Sequence, residues 1–202
     1  MNLHNRKLLI FDLDGTIVDL HVNWPKLKSL LSEKYSSLYE ENCQFTSISG
    51  CLSRVVAKND EEELINFFEM IREFELSYID KTVPIKETVY FIKHRKDFKI
   101  ADDIKLAILS LNTRAVIHKA LKMANVIDEF DYIVGREDVR AWKPEPEGLL
   151  KIKKHYNFKN QEIVFFGDMK KDLLAGKNAR IDTYLIDDLI YFINKNKGNS
   201  GI

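Results

Sequence analysis

The segment KLLIFDLDGT, residues 7–16, runs from an apolar stretch straight into two acids, Asp12 and Asp14. A second segment, IVFFGDMKKD at residues 163–172, repeats the arrangement with Asp168 and Asp172. Taken singly, each has a bland reading: Asp-x-Asp-Gly as a polar strand-to-loop turn, Asp172 as a helix-start residue. Taken together, four uncompensated carboxylates in one crevice repel strongly. A hard divalent cation removes that repulsion, and Mg2+ suits a few carboxylates completed by water and substrate phosphate. Two further places carry compatible groups. Ser110 ends the apolar run LAIL and is followed by Asn112 and Thr113. Hydroxyl and backbone N–H groups at a strand end bind phosphoryl oxygens, or else they cap the following helix. Lys143 precedes Pro144, with Pro146 beyond. The prolines stiffen the approach to a helix and can hold the ammonium in place, whereas a lone lysine is ordinarily solvated surface.

For these groups to meet, the chain must place strand ends side by side. Leu8–Phe11, Lys105–Ser110, Tyr132–Val134, Glu162–Gly167 and Thr183–Ile186 read as short buried strands. Helical stretches fall between them near Ala115–Ala124, Glu145–His155, Asp172–Ala179 and Asp188–Asn194. This alternation predicts a parallel sheet covered on both faces, with a site at the carboxyl ends of its strands. Gly15 permits the turn that brings Asp14 back over Asp12. From Trp24 to Tyr78 the texture differs. Trp24, Leu27, Leu31, Tyr35 and Leu38 recur at three- and four-residue steps, as do Leu64, Phe67, Phe68, Ile71, Phe74 and Tyr78; Ile48–Val56 adds a third helical stretch. The fold class is therefore α/β, with an α-helical block inserted after the first strand. Lys93–Asp103 reads as a charged, solvated connection, and the polar tail Lys195–Ile202 as mobile.

The motifs DLDGT, Ser110 after its strand, Lys143 in a Lys-Pro context and GDMKKD occur in the order of the four motifs of the haloacid dehalogenase superfamily. The chain resembles that superfamily over essentially its whole length. The resemblance implies a Rossmann-like core of residues 1–18 and 84–202, with residues 19–83 as a helical cap of the C1 type found in the phosphoglycolate phosphatase-like subfamily. It also implies roles. Asp12 would be the nucleophile that forms an aspartyl-phosphate, and Asp14 the general acid and then base. Ser110 and Asn112 would bind the phosphoryl group and Lys143 would stabilise its charge. Asp12, Asp14 (through its carbonyl), Asp168 and Asp172 would hold or support Mg2+. The presence of Asp14 favours phosphoryl transfer over dehalogenation. The expected activity is hydrolysis of a small phosphate monoester such as phosphoglycolate, a sugar phosphate or a nucleotide monophosphate. A phosphomutase of the β-phosphoglucomutase type, or a non-catalytic binding module, is the alternative.

Composition narrows the partners. Lys plus Arg and Asp plus Glu are 31 each in 202 residues, so no basic field favours a nucleic acid polymer. No apolar run reaches the ~18 residues of a membrane span. The expected partner is a small phosphorylated metabolite, and the expected assembly a monomer or homodimer. Cys43 and Cys51 are too few for a disulfide framework and read as reduced thiols of a cytoplasmic protein. His21, Asn23 and Trp24 are candidates for the crevice entrance, and Arg54 and Lys58 for contact with a substrate carboxylate or second phosphate; each is otherwise ordinary surface or core. Lys170 and Lys171 read as facing water, and Arg114 and Arg136 have no assigned role.

Overall fold

The computed structural model describes residues 1, 3–43, 47–101 and 103–197. Five strands form one parallel sheet: β1 (Leu8–Phe11), β4 (Lys105–Leu109), β5 (Tyr132–Val134), β6 (Ile163–Gly167) and β7 (Asp182–Leu185), in the order β5-β4-β1-β6-β7. The central strand β1 is wholly buried, and its alternate residues serve two cores: Leu8 and Ile10 on one face, Leu9 and Phe11 on the other. A strand covered on both sides must be apolar throughout, as the LLIF run is.

Helices cover both faces. On one side α6 (Glu147–Tyr156) and α7 (Lys170–Ala179) bury Leu149, Ile152 and Ala175. On the other, α4 (Lys86–Lys93), α5 (Arg114–Met123) and α8 (Ile186–Lys197) bury Phe91, Ile117 and Leu189. The strand–helix rhythm matches the sequence reading, with α4 as an addition. The connection after α4 is less solvated than its charge implies: Arg95–Phe98 form a 3₁₀ turn, and Phe98, Ile100 and Ile104 are buried. Lys195–Lys197 belong to α8, while the rest of the tail, 198–202, lies outside the described residues.

Between β1 and α4 come α1 (Trp24–Tyr39), α2 (Ile48–Ala57) and α3 (Glu61–Ser77), flanked by a two-stranded antiparallel ribbon of β2 (Val18–Asp19) and β3 (Val83–Pro84). Helix α1 starts where Asn23 accepts a hydrogen bond from the Lys26 N–H, with Pro25 in its first turn. Helix α3 starts at Asp60, which accepts from the Glu63 N–H, and its first turn carries Glu61, Glu62 and Glu63. A side-chain cap and acids at the N-terminus satisfy orphan donors and the helix dipole. The buried stripe Leu64, Phe67, Phe68, Ile71 of α3 joins the sheet's own core, where Phe68 meets Trp142 edge-to-face at 6.2 Å.

The cysteine expectation is corrected. Cys43 and Cys51 are joined in a disulfide across eight residues, tying the segment after α1 to the first turn of α2. A framework count tests for cross-links over long spans; this bond is local. Disulfides persist mainly in oxidising compartments, so the cysteines do not support a cytoplasmic address. No helix among the described residues is long and apolar enough to cross a membrane.

Candidate active site

Register places the site. Phe11 pairs with Phe166 on β6 and with Ile108 on β4, so the residues that follow each strand emerge together: Asp12 from β1, Ser110 from β4, Asp168 from β6. The ladder continues to the site itself. Asp12 N–H donates to the Phe166 carbonyl at 2.8 Å, and Ser110 N–H to that of Val134 at 3.0 Å. Asp12 and Ser110 are buried and Asp168 is half-buried.

Carboxylate oxygens of Asp12, Asp168 and Asp172 lie within 4.8 Å of one another. Lys143 Nζ reaches into this group, 2.7 Å from Asp12 Oδ2 and 2.7 Å from Asp172 Oδ1, and 3.3 Å from the Leu109 carbonyl. Burial acts to lower the Lys143 pKa, but the two carboxylates outweigh it and hold the ammonium above its usual value. The other oxygen of Asp172 accepts from the Met169 N–H at 2.9 Å, so this acid both starts α7 and fixes Lys143. Among the described residues Asp168 has no such partner. Burial, then the charges of Asp12 and Asp172, push its pKa up to about 6.

Asp14 stands apart from that carboxylate group. The turn after Asp12 is tight: Gly15 has φ of 73°, and a Cβ there would lie 2.5 Å from Asp168 Oδ2. Asp14 Oδ1 accepts from the Leu20 N–H at 2.9 Å. Burial raises its pKa against that hydrogen bond, and the Asp12 charge raises it further. A carboxyl that retains its proton more readily than usual can donate it.

Ser110 Oγ donates to Asn112 Oδ1 at 2.9 Å, and Asn112 Nδ2 donates to Glu75 Oε1 at 2.9 Å. Glu75 also accepts from the N–H and hydroxyl of Thr113. Thus a carboxylate from α3 holds the loop after β4. Burial lifts the Glu75 pKa to about 7, opposed first by the charge of Arg136 and then by these hydrogen bonds.

These groups line a cleft of about 360 Å³, the lower end of the size range of small-molecule sites. Asp12, Asp14, Ser110, Asn112, Lys143 and Asp168 all face it. Asp172 lies beneath, with no exposed surface. Of the entrance candidates only Trp24 is in the lining, joined by Lys28 of α1 and by Ser47, Ile48 and Ser49 at the start of α2; Arg54 and Lys58, expected to meet a substrate anion, are not in it. Lys58 instead pairs with Glu41 at 2.6 Å, and His21 with Asp19 at 3.3 Å. Lys171, expected to face water, lines the cleft, and burial lowers its pKa.

Two residues were missed. Glu75 had a signal: it lies four residues after Ile71, on the stripe that α3 buries, where a carboxylate needs partners. Arg136, near a functional strand by sequence but without an assigned role, also lines the cleft.

Comparison with known proteins agrees with this fold. The haloacid dehalogenase-like hydrolase family profile matches residues 9–186. The chain is similar to pyrophosphatase PpaX of Halalkalibacterium halodurans, 30% identical with 88% of this chain and 82% of the relative covered. It is also similar to phosphoglycolate phosphatase of Psychrobacter arcticus, at 26% identity with 89% and 82% covered. In fold it resembles CbbY of Rhodobacter sphaeroides in complex with phosphate, with a TM-score of 0.62 at 14% identity, covering 89% of this chain and 85% of that one. Strand order, the acids at the strand ends and the profile match lead to one assignment: the chain belongs to the haloacid dehalogenase-like hydrolase family.

Proposed function

We propose that the protein is a Mg2+-dependent phosphatase acting on a small phosphate compound through an aspartyl-phosphate on Asp12. The observation that carries this reading is Lys143, buried between Asp12 and Asp172 beside a third carboxylate at the ends of adjacent strands. Residues 19–83 act as a cap over a core of 1–18 and 84–202.

The donor set fits a hard divalent cation: carboxylate oxygens converge, and Asp168 has a raised pKa that a cation would relieve. Asp12 and Asp168 would hold it, with the Asp14 carbonyl completing the protein ligands and Asp172 supporting from below. Bound there, Mg2+ supplies positive charge against the phosphoryl oxygens.

The chain's own residues account for the proton and bond changes. An Asp12 carboxylate oxygen attacks phosphorus, and the bond from phosphorus to the leaving oxygen breaks. Asp14 gives its proton to that oxygen. Its carboxylate then takes a proton from water as the water oxygen attacks the same phosphorus, which frees Asp12 and releases inorganic phosphate. Dividing one displacement into two gives each step an activated nucleophile. Lys143 neutralises charge on the transferring group, the main demand of phosphoryl transfer, and the Ser110 hydroxyl, turning from Asn112, donates a hydrogen bond to it. The names of the relatives favour pyrophosphate and phosphoglycolate as substrates to try first.

The test is phosphate release from a panel of small phosphate compounds with and without Mg2+, beside Asp12→Asn. Metal-dependent turnover should fall below roughly 10⁻³ of wild type in the variant. Turnover that survives the substitution would remove Asp12 from the role of nucleophile.

A further inference from the structure

Arg136 is 2% exposed, and among the described residues its Nε and Nη1 have no hydrogen-bond partner. It follows β5 by two residues, and its backbone is fixed on both sides. Its N–H donates to the Asn112 carbonyl at 2.9 Å, and its own carbonyl accepts from Trp142 Nε1 at 2.8 Å. The side chain lines the cleft beside Ser110, Asn112 and Lys143. Glu75 and then Glu137 provide a compensating field, but the oxygens of Glu75 are already met by Asn112 and Thr113 and those of Glu137 by the Arg114 N–H.

A guanidinium stripped of water and left with unpaired N–H groups is costly. It is also the group best shaped to grip a carboxylate or phosphate with two parallel hydrogen bonds. Lys28 and Lys171 face the same cleft, but each is only partly buried and presents a point charge. Lys143, the other deeply buried cation, is committed to Asp12 and Asp172.

We propose that Arg136 forms a second anion subsite in the cleft, so that the substrate is a phosphoryl compound bearing a further carboxylate or phosphate within a few atoms of the group transferred. The inference rests on the phosphatase reading and narrows it: esters of uncharged alcohols are disfavoured. Arg136 is the specificity determinant, and it acts on the part of the substrate that does not react.

The experiment compares wild type, Arg136→Met and Arg136→Lys on phosphoglycolate, pyrophosphate and p-nitrophenyl phosphate with Mg2+. The loss of kcat/KM in Arg136→Met should be about 10- to 100-fold greater on a substrate with a second anion than on p-nitrophenyl phosphate. It should lie chiefly in KM, with part recovered by Arg136→Lys. Which of the two anionic substrates shows the loss separates a carboxylate from a phosphate. Equal losses on all three would overturn the proposal and leave Arg136 a structural partner of Glu75. Wild-type turnover of p-nitrophenyl phosphate alone would also overturn it, with the phosphatase reading intact.

Calorimetric titration keeps the two readings apart. Wild type with Mg2+ should bind phosphonoacetate or methylenediphosphonate about tenfold or more tightly than methylphosphonate. Equal affinities would refute the subsite even if no ester were hydrolysed and even if Arg136→Met failed to fold.

Discussion

Asp12, Ser110 and Asp168 each leave the end of a strand whose neighbours are fixed by ladder hydrogen bonds, whereas Trp24, Lys28 and Ile48 reach the same cleft from helices. On the sheet side, a residue's place follows from register: one pairing error would move every side chain to the wrong face. On the helical side, place follows from packing of apolar stripes, which tolerates exchange of volume-conserving residues. At its centre the sheet side is tightly compensated, with Lys143 paired twice at 2.7 Å, while the helical side offers Ser47, Ser49 and Lys28, none of them buried. The difference teaches which parts of the cleft are free to change: Asp12, Lys143 and Asp172 are locked to one another, and Trp24, Lys28 and Ile48 are not.

Three measurements can break or sharpen that contrast. The largest effect is expected from Lys143→Met, which leaves the Asp12 and Asp172 carboxylates unpaired. Activity should drop ~10²- to 10³-fold, and unfolding free energy by about 3–5 kcal/mol, the usual consequence of breaking a buried pair. A mutant of near-normal stability and activity would show that the sheet side is no more constrained than the helical side.

Next comes the pH dependence of metal binding. A ligand must be deprotonated to bind, and Asp168 in the metal-free protein keeps its proton up to about pH 6. Mg2+ affinity should therefore be flat above that pH and fall ~tenfold per unit below it. Titration calorimetry across pH 5–8 reads this directly. In Asp168→Asn the affinity should be weaker throughout, with the acid-side fall reduced.

The smallest effect is expected on the helical side. Opening the Cys43–Cys51 bond, by reductant or by Cys51→Ser, releases a loop of eight residues. Stability should fall by about 2–3 kcal/mol, seen by chemical denaturation, with kcat on the preferred substrate retained within a small factor. A loss of activity as large as that of Lys143→Met would erase the distinction between the two sides.

How much was legible in the sequence divides along the same line. The strands were readable because β1, β4 and β6 are short apolar runs ended by a polar residue at a defined point. Once such runs are taken as parallel neighbours, the convergence of Asp12, Ser110 and Asp168 follows. The helices α1 and α3 were readable from their stripes. What lies across the cleft from the sheet was not, because no local pattern specifies which helical turn will meet which strand end. Lys28 and Ile48 became lining residues only through that docking. Arg136 sits in a short 3₁₀ turn, with no periodicity to mark it. Glu75 could have been suspected as an acid on a buried stripe, yet its partners, Asn112 and Thr113, lie 37 and 38 residues away. The disulfide was missed for a different reason: a helix was read at Ile48–Val56, but nothing in the sequence says that the segment after α1 returns to meet its first turn.

The β2–β3 ribbon has a consequence for how this chain can vary. Val18 pairs with Pro84 and Asp19 with Val83, and the Ile85 N–H donates to the Ile17 carbonyl at 2.9 Å. The outgoing and returning passages of the inserted segment thus run side by side. Adjacent ends are what make an insertion exchangeable. A helical segment of another length or make-up could be grafted between Asp19 and Val83 without asking the five-stranded sheet to move, and the ribbon would meet the newcomer at the same two residue pairs.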